Sequence, residues 1–263
     1  MEDLKKYKEV LFEAAEEAGK IITESYNTVF RIGRKKEYND LVTEVDHKSE
    51  KKIIEVIHKH FPEHNVLSEE CGDLNMTSDY VWIVDPIDGT VNYAHALPIF
   101  AVSIALEIKK EIVLGVVYNP VLNEKFHAEK GKGAYLNELQ ISVSKIEKLR
   151  DSLLVTGFPY LARENTGNCI DHFNNFIKEG LPIRRLGSAA LDMCYVACGR
   201  FDGFWEVALN PWDMAAGYLI LEEAGGKLSN FKGEEFSIYK KQLLASNGMI
   251  HEEMMEVLGK VEC

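Results

Sequence analysis

Five short strand-like runs follow one another at residues 80–84, 100–108, 112–118, 123–128 and 134–136, and Lys109-Lys110-Glu111 is placed to close the second and third as a hairpin. A meander of this kind needs cover on at least one face, and helical patterns flank it. Leu4, Tyr7, Leu11, Ala14, Ala18, Ile21 and Ile22 recur at three- and four-residue steps, predicting a helix that ends near Tyr26-Asn27. A second helix is expected with Asp46 as its N-cap, Ile53, Ile54 and Ile57 as its inner stripe, and Pro62 beyond its end. The charged stretch 31–39 between them reads as a mobile loop. The second half alternates, with strands at 152–156, 183–185, 201–207 and 243–246, and helices at 168–178, 189–198, 212–224 and 250–258. Interleaved sheets and helices predict an α+β chain folded as a layered sandwich. No linker is visible. The expectation is one domain over 1–263, softly divided into a half at 1–145 and a half at 146–263.

A formal charge of −12 makes this chain a poor nucleic-acid binder, because a phosphate backbone demands clustered cations. It does not exclude an anionic substrate, since a bound divalent cation inverts the field at its own site. The five cysteines are odd in number and irregular in spacing, which favours free thiols in a reducing compartment over a disulfide framework. The N-terminal residues carry no apolar stretch, and the longest mostly apolar run, 97–106, is half a membrane span. A cytoplasmic, non-membrane protein is expected.

The chemistry concentrates where the first strand of the meander ends. Trp82-Ile83-Val84 leads into Asp85-Pro86-Ile87-Asp88-Gly89-Thr90. Pro86 is expected to stop the strand and aim Asp85 and Asp88 at a common point. Clustered carboxylates stay ionised together only around a cation, and hard oxygen ligands select magnesium, calcium or manganese. Gly89-Thr90, at the start of a helical turn, would present backbone N–H groups to an anion. Read alone, the segment is equally well a turn, since Asp-Pro and Asp-Gly are turn dipeptides. Ser68-Glu69-Glu70 alone reads as a solvated acidic loop, and Asp213 in Pro211-Trp212-Asp213 as a helix-capping acid. What singles them out is the set, with each acid at the end of a hydrophobic element.

These motifs resemble the inositol monophosphatase family. The resemblance rests on Asp85-Pro86-Ile87-Asp88-Gly89-Thr90 with Asn92-Tyr93 and His95 behind it, and on Trp205-Glu206 through Pro211-Trp212-Asp213, Ala215-Ala216-Gly217 and Glu223-Ala224-Gly225-Gly226. Asp40-Leu41-Val42-Thr43 with Asp46, and Ser68-Glu69-Glu70, match the remaining motifs in family order. The resemblance implies a layered αβαβα sandwich of the sugar-phosphatase type, usually dimeric, that hydrolyses a small polyol phosphate with two magnesium ions, and in some members three. It assigns Glu69, Asp85 and the Ile87 carbonyl to the first ion, and Asp85, Asp88 and Asp213 to the second. The implied nucleophile is a metal-activated water, oriented by Glu69, with Thr90 paired to Asp46. Asp88, Gly89, Thr90, Ser188, Ala189, Glu206 and Arg185 are the implied substrate contacts. Lys35 or Lys36 would approach a third ion. Lithium inhibition is also implied.

Alternatives stay open at several positions. Ser188 is equally a helix N-cap; one of Arg184 and Arg185 could bind a second phosphate, with a solvated or interface arginine the favoured reading. His58, His60 and His64 read as surface or capping residues, Gly131-Lys132-Gly133 as a hairpin turn, and Cys71 as carrying no chemistry. Two rival functions remain: a fructose-1,6-bisphosphatase or dual-activity enzyme, and a protein that associates with the transcription machinery.

Overall fold

The computed structural model describes residues 4–34, 41–73 and 78–261. In chain order the elements are α1 (Lys5–Ser25), β1 (Ile32–Arg34), β2 (Leu41–Thr43), α2 (Glu44–His60), β3 (Asn65–Ser68), β4 (Gly72–Asp73), β5 (Tyr80–Asp88), α3 (Thr90–Ala94), β6 (Ala101–Ile108), β7 (Glu111–Asn119), β8 (Glu124–Glu129), β9 (Ala134–Leu136) and β10 (Leu139–Ile141). The second half contributes β11 (Leu154–Thr156), α4 (Cys169–Lys178), β12 (Ile183–Arg184), α5 (Ala189–Ala197), β13 (Gly203–Val207), α6 (Pro211–Glu223), β14 (Lys227–Ser229), β15 (Gln242–Ser246) and α7 (His251–Leu258).

Two sheets result. The larger has eight strands in the order β10-β9-β8-β7-β6-β5-β3-β4, and the smaller has five in the order β12-β11-β13-β15-β14. Alternation along β5 sorts its side chains to two cores, because successive strand residues face opposite sides. Trp82 and Val84 join Leu11, Ile22, Ile53 and Ile57 beneath α1 and α2. Ile83 faces the other way, into a core shared with α5, α6 and the inner face of the smaller sheet. Leu154, Trp205 and Leu244 pack outward against Phe176 of α4 and Met254 of α7. The layers therefore run helices, sheet, helices, sheet, helices, as the αβαβα expectation has it.

Several local expectations need correction. The N-cap of α2 is Thr43, whose hydroxyl accepts the Val45 and Asp46 amides, while Asp46 sits at the third helical position and accepts the Thr43 amide at 2.8 Å. This is a reciprocal capping box. Within the expected loop, Ile32–Arg34 pairs antiparallel with Leu41–Thr43. Lys35, Lys36 and Asp40 lie outside the described residues. Strand β5 does not stop at Pro86; it runs to Asp88 with its register against β6 shifted between Asp85 and Asp88. The imide nitrogen that cannot join a ladder thus falls where the ladder is already broken. His64 is buried, accepts the Trp82 indole N–H at 3.0 Å and stacks on Phe61 and Tyr80. In the turn between β8 and β9, the Gly131 and Gly133 amides donate to the Glu223 carboxylate at 2.7 and 2.8 Å. That turn ties the end of α6 to the larger sheet.

Candidate active site

Strand pairing brings the first acids together. β3 runs parallel to β5 with Ser68 opposite Val84, so Glu69 emerges beside Asp85, and its amide donates to the Val84 carbonyl at 3.2 Å. On the other side, Ser103 of β6 pairs with Asp85, and its hydroxyl donates to the Trp212 carbonyl at 3.3 Å. That bond sets the first turn of α6 against the end of β5, and Asp213 is the next residue. Gly115 of β7 lets the helix close in: a Cβ there would lie 3.0 Å from the Ala216 carbonyl oxygen. Asp213 accepts the Asn210 amide at 2.7 Å, forming a second capping box at the third position of its helix.

Behind the shifted strand end, Gly89 takes φ 96°, and a Cβ on it would lie 2.9 Å from the Ile99 carbonyl. Only glycine fits there without strain. Its turn opens α3 and places the Thr90 hydroxyl 3.0 Å from both Asp46 Oδ1 and the Ile87 carbonyl. Asp88 turns away from its own strand and accepts the Ser188 hydroxyl and the Ala190 amide, each at 2.7 Å. Ser188 occupies the N-cap position of α5 without capping it through its side chain. Asp88, a hundred residues earlier in the chain, supplies the capping oxygen instead.

Of the predicted site residues that are described, all but Asp46 line one cavity of about 370 Å³: Glu69, Asp85, Ile87, Asp88, Gly89, Thr90, Arg185, Ser188, Ala189, Glu206 and Asp213. Asp46 stands behind Thr90 and is fully buried. Arg185 reaches the cavity, while Arg184 is exposed and folds onto its own strand at the Ile183 carbonyl. The wall also includes residues outside the expected set, among them Gly157, Phe158 and Pro159. Their signal is a Gly-Phe-Pro string directly after a strand. Gly157 packs so closely on the Glu206 carboxylate that any side chain there would displace it.

The cavity gathers buried carboxylates. Burial pushes Asp85 well above the usual carboxylate range, and Glu69, Asp88 and Asp213 push it further. Asp213 is raised well above its ordinary value, first by burial and then by Glu69. Asp88 rises to about 6 through burial, against the pull of the Ser188 hydroxyl, the Ala189 and Ala190 amides and Arg185. Glu206 rises to about 8 through burial, opposed by Arg185. Asp192 on α5 is buried, with neither carboxylate oxygen hydrogen-bonded among the described residues.

Mutual repulsion of this kind reverses when a divalent cation lies among the carboxylates, and an all-oxygen donor set suits magnesium. The donor chemistry of the cavity, carboxylates and a backbone carbonyl, fits such an ion. Among the described residues, no three acidic, histidine or cysteine side chains are drawn together closely enough to hold a metal ion as they stand; the carboxylates ring the cavity.

Residues 3–262 match the model of the inositol monophosphatase family. The chain is 42% identical over 258 residues to an inositol-1-monophosphatase of Synechocystis sp. PCC 6803, covering 98% of this chain and 90% of that one. It is 42% identical over 244 residues to the Nus factor SuhB of Escherichia coli K12, covering 92% and 91%. Among solved structures, the extragenic suppressor protein suhB of Bartonella henselae superposes with a TM-score of 0.92 at 39% identity, over 98% of this chain and 100% of that one. The inositol monophosphatase of Anabaena (Nostoc) sp. PCC 7120 gives 0.88 at 40% identity, over 99% and 98%. The layered sandwich with an acid-lined cavity at the strand ends is a phosphatase architecture. The chain belongs to the inositol monophosphatase family.

Proposed function

We propose that this protein is a magnesium-dependent phosphatase that hydrolyses the monoester of a small polyol, with myo-inositol 1-phosphate or 4-phosphate as its substrate. The observation that carries the reading is the single cavity in which Glu69, Asp85, Asp88 and Asp213 stand beside the Gly89-Thr90 turn and Glu206. Glu69, Asp85 and the Ile87 carbonyl would hold one magnesium, and Asp85, Asp88 and Asp213 a second. When bound, the ions polarise the phosphoryl oxygens, activate water and neutralise the leaving alkoxide.

The chain's own residues do the rest. The amides opening α3 at Gly89 and Thr90 receive the phosphoryl group. Asp46 accepts from the Thr90 hydroxyl and so fixes that side chain against the cavity floor. Glu69 orients the attacking water and takes up its proton. Glu206, raised to about 8, carries its proton at neutral pH and can both donate to and accept from ring hydroxyls. Ser188 and Ala189 line the same wall. Arg185 offsets part of the negative field around Glu206 and Asp88.

The test is phosphate release from myo-inositol 1-phosphate and fructose 1,6-bisphosphate, side by side, across a magnesium titration. Faster turnover of the inositol ester supports the reading, and equal rates favour the dual-activity enzyme. Preference for the bisphosphate would overturn the substrate assignment. A homodimer belongs to the same reading, and sedimentation of the full chain tests it. A second reading, association with transcription factors, draws support from relatives named Nus factor SuhB. Pull-down of RNA polymerase factors with wild type and Asp88→Asn separates that role from catalysis.

A further inference from the structure

Helix α2 carries a buried carboxylate that the mechanism above does not use. Glu50 is 2% exposed. Its Oε1 accepts the Ser68 hydroxyl, the Glu70 amide at 3.0 Å and the Cys71 amide at 3.1 Å. Its Oε2 accepts the Cys71 thiol at 2.8 Å. All four donors lie in the segment 68–71, and the residue they flank is Glu69. That segment joins β3 to the two-residue edge strand β4, with Ser68 paired to Gly72 and to Val84 and the Glu69 amide on the Val84 carbonyl.

Glu50 is also one of a set. Asp46, Ser49 and Glu50 are all buried, and spacings of three and four residues put them on one face of the helix. Asp46 holds Thr90, the Ser49 hydroxyl donates to the Pro86 carbonyl at 3.2 Å, and Glu50 holds 68–71. One polar helix face thus braces two of the segments that supply carboxylates to the cavity, the one carrying Glu69 and the one carrying Asp85 and Asp88. Burying three polar groups is costly unless each is partnered. Here the partners are site loops.

We propose that Glu50 is a positioning residue, which fixes the Glu69 carboxylate in the cavity and thereby sets the divalent-cation affinity of the site. The inference rests on the metal reading given under Proposed function. Partners one shell out from metal ligands typically change metal affinity by about 10–100-fold when removed. A carboxylate receiving two consecutive amides and a hydroxyl is a firm anchor for such a loop.

The experiment measures magnesium and manganese binding by calorimetry, with folded state followed by circular dichroism and phosphate release from myo-inositol 1-phosphate measured in parallel. Glu50→Ala is expected to weaken metal binding about 10–100-fold. The magnesium needed for half-maximal rate should rise in step, with KM for the ester at saturating magnesium nearly unchanged. Glu50→Gln keeps an oxygen for the Oε1 bonds and should recover most of the loss. A folded Glu50→Ala protein with wild-type metal affinity overturns the proposal, as does a Glu50→Gln variant as weak as Glu50→Ala. Should Glu50→Ala fail to fold, the double variant Ser68→Ala with Cys71→Ala decides. It removes both side-chain donors, and unchanged metal affinity in it overturns the proposal. Glu69→Gln separates the two levels. Wild-type metal binding in that variant overturns the metal reading itself, whereas loss there with none in Glu50→Ala overturns only the role of Glu50.

Discussion

Replacing Asp88 by Asn removes a charge while leaving the shape of the site intact. Asp88 Oδ2 accepts the Ser188 hydroxyl and the Ala190 amide, each at 2.7 Å, and an asparagine carbonyl oxygen can accept both. The N-terminus of α5 therefore stays capped. Burial raises Asp88 to about 6 from its ordinary 3.8. A raised carboxylate means that the folded state holds the proton more tightly than the unfolded one. Stability therefore declines as pH rises from about 4 to about 6, and at neutral pH the ionised group costs about 3 kcal/mol. Asparagine carries no such cost. Without magnesium, Asp88→Asn should unfold at the same or higher urea concentration than wild type. Magnesium should stabilise wild type and stabilise the variant far less. Turnover should fall on the order of 10²–10³-fold, as when one electrostatic partner of a transition state is deleted. Urea unfolding with and without magnesium, together with phosphate release, measures all three. Near-wild-type turnover at saturating magnesium would refute the assignment of Asp88. A strongly destabilised metal-free variant would refute the claim that its charge is a burden on the fold.

Gly89→Ala forces a side chain into φ 96° and within 2.9 Å of the Ile99 carbonyl; it should cost about 2–4 kcal/mol in urea unfolding, and a neutral outcome would show that the turn relaxes freely. Glu206→Ala should raise KM for myo-inositol 1-phosphate about tenfold, one or two hydrogen bonds' worth, with kcat changed less; equal losses on every substrate in a panel would contradict its role in specificity. His251 is fully buried between the Ser229 and Ser246 hydroxyls and is lowered to about 4 by burial and by Lys227. Because the unfolded chain takes up this proton first, stability present above pH 6.5 should be lost toward pH 4, by about 3 kcal/mol; His251→Asn should flatten that slope in urea unfolding at pH 7 and 4.5. Millimolar lithium should slow phosphate release by competing for a magnesium position, and an unchanged rate would count against that.

The meander and most helices were legible because their burial follows simple periods. The run at 80–84 alternates between two cores, and α1 buries Leu11, Ala14, Ala18 and Ile22 along one stripe. The motif at the end of β5 was legible because a strand must deliver its last side chains to one end of a sheet. Less was visible where long-range partners decide. Asp46 is an acceptable N-cap by residue type, yet Thr43 takes that place because Asp46 is needed at Thr90. Pro86 reads as a stop, but a register shift absorbs its missing N–H. The stripe of Ile53 and Ile57, carried back by whole turns, lands on Ser49, Glu50 and Asp46. Polarity hid those positions from a hydrophobic pattern, and only the loops they hold reveal why they are buried. The capping of α5 by Asp88 joins residues a hundred apart, and no local rule reaches that far.

The most direct measurement is anomalous scattering from crystals of the full chain soaked in manganese with phosphate. One peak is expected bounded by Glu69, Asp85 and the Ile87 carbonyl, and a second bounded by Asp85, Asp88 and Asp213, with the phosphate against Gly89 and Thr90. Manganese found elsewhere, or phosphate seated away from that turn, would contradict this arrangement.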